Sequence, residues 1–364
     1  MIQGASFDQF IQRELHHAVT PSNYTLDCFV SSEVAYNDII RRCMPVNESP
    51  SGAYLGVGPD QNFTYIGALR PKLAVILDAR LDNLLEHLLF KLLFLEAHSP
   101  LDYLCLLLGR RRPDPSEGAT EGAPALLSRF AEQPLDEASA LACQQRVAAA
   151  FSQRWVADPQ ILSRVQHLQQ VFVKRQLRVT SVSESCLANL DKIPDFEEVI
   201  RATTPEGFNF HYLTCPRHFA YVKAMQEADQ IVPVLGGVPD LTSLARSVQL
   251  IQQAGLRLSA VYLSNLEEFM LQRYVITNDR ISDRPNPGGE LTDSYRMLYD
   301  LMVDELAALP AEDNAVLIRF YFPGEFAGRR LGVFPWLEGH VTLLSRFITR
   351  YRSERPSSVF ETYV

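Results

Sequence analysis

The chain has 364 residues, of which 47% are hydrophobic and 21% charged, enough to bury a sizeable core and too apolar for a disordered chain. Its 34 basic and 43 acidic residues give a formal charge of -9, which argues against a general nucleic-acid or anionic-membrane binder. Six cysteines (Cys28, Cys43, Cys105, Cys143, Cys186, Cys215) lie far apart with no CxxC spacing, the pattern of free thiols in a reducing compartment.

The opening MIQGASFDQFIQRELHH lacks a basic stretch followed by an apolar one, so no secretory signal is expected. Phe7, Phe10, Ile11 and Leu15 recur at helical spacing, and Ser31 with Ser32 is placed to cap a second helix running to Cys43. Residues 1–50 read as a helical extension closed by Pro45 and Pro50. The apolar run Ala53-Tyr-Leu-Gly-Val-Gly58 then predicts a buried strand entering a tight turn, and Leu73-Ala-Val-Ile-Leu-Asp78 a central strand. A short helix fits between them over Asn62–Leu69, ended by Pro71, so residues 51–80 form a βαβ unit.

From Leu81 to about Leu108 the pattern is helical and very apolar, but Glu86, His87, Lys91, Glu96, His98 and Asp102 interrupt it, and it fails as a bilayer span. Residues 109–124 read as an exposed, flexible loop in which Arg110-Arg-Arg112 is solvated. Helix resumes from about Ala125 to Arg178 with a break near Asp158-Pro159, so 81–205 is expected to form a mostly helical insertion.

A second βαβ runs from Gln230-Ile-Val-Pro-Val-Leu235 through the turn Gly236-Gly-Val-Pro-Asp240, with Asp240 as expected N-cap, to a helix closed by Gly255 and the strand Leu258–Leu263. Asn286-Pro-Gly-Gly289 is a loop, Leu291–Leu306 a helix and Ala315–Tyr321 a late strand; 206–335 completes the core and 336–364 is a C-terminal helix and tail. The expected fold is α/β and Rossmann-like: a mostly parallel sheet flanked by helices, with a large helical insertion and helical terminal extensions.

Chemistry concentrates where the first strands end. Gly56 and Gly58 allow a ligand close approach to the backbone ahead of a helix N-terminus, and Asp78, 20 residues after Gly58, can accept from both hydroxyls of a ribose. With no third glycine the dinucleotide fingerprint is incomplete, and a tight turn with Asp78 capping the next helix fits as well. Asp60, Gln61 and Asn62 are candidates for ligand contact or helix capping. Arg80, Asn83, Glu86 and His87 surround the next helix start; His87 suits a general base or a core hydrogen bond. The stagger Asp78, Asp82, Glu86 reads as solvated carboxylates rather than a metal site. Glu267 and Glu268 orient a substrate or favour a helix start, and His16, His17, His211, Arg217 and His218 sit in no motif.

The stretch Tyr54-Leu-Gly-Val-Gly-Pro-Asp-Gln-Asn-Phe-Thr-Tyr-Ile66, with Ala74–Arg80, Asn83–His87, Ile231–Gly236 and Val261–Glu267, resembles an uncharacterised bacterial family with a class I S-adenosylmethionine-dependent methyltransferase-like core. The resemblance implies S-adenosylmethionine as cofactor, with Gly56, Gly58, Asp78, Gly236 and Gly237 around it and Ser264 and Asn265 facing the substrate. Read from the residues themselves, Asp60, Asn62 and Arg80 join the cofactor-binding candidates beside Ser264, and His87 and Glu267 join Asn265 as candidates for catalysis. Pro59 stands where that pattern commonly has a glycine, and Tyr262-Leu-Ser-Asn265 is not the Asn/Asp-Pro-Pro-Tyr of amino methylases, so no acceptor is implied. The expectation is a cytoplasmic protein that binds a small molecule and does not enter a membrane. The alternatives are an inactive member that keeps the fold as a scaffold, its cleft filled by Phe63 or Tyr65, and a nicotinamide enzyme.

Overall fold

A computed structural model describes residues 6–17, 28–43, 52–115, 121–181, 193–238, 241–271, 274–277, 280–283, 286, 289–321 and 338–363. Asp240, Cys186, Pro45, Pro50 and the middle of the expected 109–124 loop lie outside them.

Six strands make one sheet: β1 (Ala53–Val57), β2 (Leu73–Asp78), β3 (Ile231–Leu235), β4 (Leu258–Tyr262), β7 (Ala311–Tyr321) and β8 (Glu338–Leu343), in the order β3-β2-β1-β4-β7-β8. All neighbouring pairs are parallel except β7 and β8, which are antiparallel. β5 (Tyr274–Thr277) and β6 (Arg280–Asp283) form a separate antiparallel pair. The parallel strands are apolar on both faces because helices cover both; β2 buries five of its six residues and leaves only Asp78 half-buried at its carboxyl end. Strand order reverses between β1 and β4, the place in an open α/β sheet where loops diverge and leave a crevice.

Two helices precede the sheet, α1 (Phe7–His17) and α2 (Tyr36–Cys43). α1 is tied to the sheet, since the backbone N–H of Leu235 donates to Glu14 Oε2 at 2.9 Å. The expected cap of α2 is a correction: the helix starts at Tyr36, and Ser31 lies in an extended strap, residues 28–35. Next come α3 (Gln61–Leu69), α4 (Leu81–Glu96) and α5 (Pro100–Leu108). The long apolar run is thus two helices, because Ser99 accepts from the Asp102 N–H and Pro100 occupies the first turn. α4 heads the expected insertion yet packs against β2 and β3.

α6 (Ala123–Glu132), α7 (Glu137–Arg154) and α8 (Pro159–Arg175) follow, the last capped by Asp158 at the expected break. Arg110 and Arg112 are corrections to the solvated-loop reading. Arg112 pairs with Glu96 (2.9 Å) and Asp102 (2.7 Å), while Arg110 lies over the Phe130 ring and donates to Gln133 O at 2.7 Å. The rest comprises α9 (Phe196–Arg201), with a capping box between Asp195 and Glu198, then α10 (Pro216–Glu227), α11 (Leu241–Gln253), α12 (Leu266–Met270), α13 (Asp293–Ala308) and α14 (Leu344–Glu354). A final 3-10 turn spans Val359–Tyr363. Among the described residues no helix is long and apolar enough to cross a membrane.

Candidate functional site

The turn after β1 is built from its own side chains. Asn62 donates its amide to the carbonyls of Val57 (3.0 Å), Gly58 (3.1 Å) and Pro59 (2.7 Å) and accepts from Tyr54 OH at 2.9 Å. That arrangement explains Gly56: a Cβ there would stand 2.0 Å from Asn62 Oδ1 and 2.6 Å from the Tyr54 ring. Gly56 and Asn62 therefore serve the turn, and Asn62, fully buried, does not cap α3. Gly58 differs. It has φ +81°, which favours glycine, and a Cβ on it would meet nothing within 4 Å.

His87 reaches the same turn from α4. Its Nε2 lies 2.9 Å from Gly58 O, so Nε2 carries the proton and Nδ1 is a bare acceptor. Burial holds the ring neutral by pushing its pKa down to about 4. This is the core hydrogen bond of the two roles the sequence allows it.

Asp78 ends β2 beside Gly236, whose N–H donates to Asp78 O at 2.8 Å. Its carboxylate caps no helix. The Arg80 side chain donates through Nε to Oδ1 (2.8 Å) and through Nη2 to Oδ2 (2.5 Å), and the Arg80 N–H also donates to Oδ1 (2.8 Å). The Asp78 side chain keeps 11% of its surface exposed. Gly237 packs near Ala79 and accepts from Ser243 Oγ at 3.0 Å. The acidic stagger separates, as Asp82 turns outward to pair with Arg164 at 2.7 Å.

The strap 28–35 crosses this end of the sheet, and no local sequence signal marks it. Cys28 faces Arg80, Phe29 packs edge-on against Phe172 (5.9 Å), and the Ser31 N–H donates to Asp60 Oδ1 at 3.1 Å. Glu33 then accepts from Tyr262 OH (2.7 Å) and from Ser264 Oγ (2.5 Å) at the end of β4. Burial pushes the Glu33 and Asp60 carboxyls each up to about 7, against the hydrogen bonds that favour their charged forms. Sequence reading missed Glu33 because its partners lie 229 and 231 positions away.

The structure thus gathers Gly58, Asp60, Asp78, Arg80 and Gly236 at the carboxyl ends of β1 to β3, with Ser264 and Asn265 at the end of β4. Glu267 lies in another network, fully buried and bonded to Tyr299, Tyr363 and Arg319 (3.0 Å). Phe63 packs behind the turn against His87 (5.6 Å) and Phe94 (5.2 Å), and Tyr65 against Tyr262 (4.8 Å). Two clefts elsewhere, of about 150 and 260 Å³, contain none of the expected site residues. Among the described residues no group of three or more His, Cys, Asp or Glu could hold a metal ion.

Fold and site define an α/β protein with a six-stranded, mostly parallel sheet flanked by helices and polar side chains gathered at the carboxyl ends of its strands. A family model described as a domain of unknown function, DUF7790, matches residues 139–278, a stretch that begins inside α7 and continues past β5. A search of the curated proteins gave no match.

Proposed function

We propose that the protein binds an adenosine-type ligand, S-adenosylmethionine first, in the crevice at the carboxyl ends of β1 and β2, as a Rossmann-like methyltransferase would. The observation that carries this reading is the open space at Gly58, one strand away from a strand-end carboxylate. Gly58 offers a surface on which a ligand can lie, and the switch-point position is where such sheets take nucleosides. Asp78 can take one ribose hydroxyl: Oδ1 already accepts from the Arg80 Nε and backbone N–H, while Oδ2 accepts only from Nη2 and keeps a lone pair. When bound, S-adenosylmethionine supplies a methyl group already activated on sulfur, so the protein's task is positioning rather than acid–base work. Ser264 and Asn265 lie at the end of β4 on the same edge of the sheet, where an acceptor would approach.

A second reading, an inert relative that keeps the sheet as a scaffold, is favoured by the strap, which already bonds to Asp60 and Ser264 across the crevice. A thermal-shift series with S-adenosylmethionine, S-adenosylhomocysteine, NAD and ATP separates the two. A ligand at 100 times its Kd stabilises by about 2.7 kcal/mol. The adenosyl reading expects a shift with the first two that Asp78→Ala abolishes; no shift with any of the four leaves the scaffold.

A further inference from the structure

Three carboxyls lie beneath and along the strap, out of water and without a cation. Glu86, Asp60 and Glu33 are 1%, 2% and 1% exposed, and among the described residues none of them forms an ion pair. Arg80 has committed its guanidinium to Asp78, and Asp82 is matched by Arg164. Glu86 is exposed to the charges of Asp60, Arg80 and Asp78, so it faces this group, and its Oε1 has no hydrogen-bond partner. Tyr103 and Tyr212 face Asp60 and Glu86 from the other side.

Other polar atoms here lack partners as well. Gln61, beside Asp60 and 1% exposed, has neither amide atom bonded, and His87 Nδ1 is an unpartnered acceptor. Buried polar atoms without partners cost about 1–3 kcal/mol each, and folded proteins seldom gather several unless something fills the space between them. The unpartnered atoms are the acceptors Glu86 Oε1, Gln61 Oε1 and His87 Nδ1, the amide nitrogens of Gln61 and Asn83, and the hydroxyls of Tyr103 and Tyr212. An anion would be repelled by three carboxyls without an ion-pair partner, while a compact cation would supply the missing counter-charge.

We propose that Asp60, Gln61, Glu86 and His87 together receive the positively charged sulfonium of the ligand. The inference deepens the adenosyl reading and rests on it only for the rest of the ligand. It separates two otherwise matched molecules: S-adenosylmethionine carries a sulfonium, and S-adenosylhomocysteine has a neutral sulfur in its place.

The test is calorimetric titration of the full chain with both nucleosides, together with thermal shifts in trimethylsulfonium chloride against sodium chloride at equal ionic strength. S-adenosylmethionine is expected to bind about tenfold tighter than S-adenosylhomocysteine. Trimethylsulfonium is expected to raise the unfolding midpoint by about 2 °C beyond the sodium salt. Asp60→Asn and Glu86→Gln should bring the two nucleosides within about twofold of each other. Equal affinities with an inert trimethylsulfonium overturn the cation pocket and leave the adenosyl site standing. A trimethylsulfonium response without binding of either nucleoside supports the pocket and overturns the adenosyl reading, and silence to every probe overturns both. If the carboxamide variants do not fold, the wild-type comparisons decide alone.

Discussion

Arg80 grips both carboxylate oxygens of Asp78, two residues earlier in the chain, and so fixes the acid's direction before any ligand arrives. Replacing Arg80 by Leu leaves a largely buried carboxylate with one backbone donor. The expected loss is about 2 kcal/mol in urea unfolding, reduced from the cost of a fully buried pair because both side chains retain some exposure. S-adenosylhomocysteine affinity, followed by calorimetry, should fall about tenfold as the carboxylate loses its fixed orientation.

The two glycines of the first turn respond differently to the same change. Gly56→Ala places a methyl group against Asn62 and Tyr54, which cannot move without opening the turn, and about 3 kcal/mol of stability is lost. Gly58→Ala meets no atom and costs only the backbone strain of a positive φ, about 1 kcal/mol. Denaturation midpoints check the ranking. Only the second change should weaken ligand binding in proportion beyond its effect on stability.

Glu33 makes stability depend on pH in a defined direction. Its folded pKa, about 7, lies above its ordinary value of 4.5, so its contribution is fully present below 4.5 and is lost as pH rises through 7. Glu33→Gln removes that dependence. Relative to wild type the variant should gain about 3 kcal/mol between pH 4.5 and 8 and nothing further above 8, measured by urea unfolding across the series.

Arg319 is fully buried between the rings of Phe347 (4.4 Å) and Tyr363 (4.2 Å), paired with Glu267 and donating to Thr362 O at 2.7 Å. Arg319→Met leaves Glu267 charged and without its counter-ion, at a cost of about 4 kcal/mol. Adding Glu267→Leu removes the stranded charge, so the double variant should be more stable than the single one. A double variant no better than Arg319→Met would show that the pairing carries little of the effect.

Cys215 precedes α10 half-buried; burial pushes its thiol up, but hydrogen bonds and charge from His218 outweigh this and bring it down to about 7. Iodoacetamide at neutral pH should therefore label Cys215 before Cys43, Cys105 and Cys143, which burial holds above their usual value. His218→Ala should slow that labelling, as read by peptide mass spectrometry.

The parallel strands β1 to β4 and β7 were legible because a strand covered on both faces is a continuous apolar run. β8 was not: Gly339-His-Val-Thr-Leu343 pairs along one edge only and shows no such run. The strap was invisible for another reason. It has no periodicity of its own, and what fixes it are Asp60, Tyr262 and Ser264, distant in sequence. Local rules place Asn62 and Glu267 at helix starts, where α3 and α12 do begin, but do not give the partners their side chains find. Each sits where a helix start favours a polar residue, but the first is taken up by Tyr54 and three carbonyls and the second by an arginine 52 positions downstream.

The grip of Arg319 on Thr362 and Tyr363 bears on the order in which the molecule is made. A ribosome releases the guanidinium some forty residues before the turn that completes its surroundings. Until residues 359–363 emerge, β7 cannot be buried without trapping a half-solvated ion, so closure of this side of the molecule waits for that turn to be synthesised.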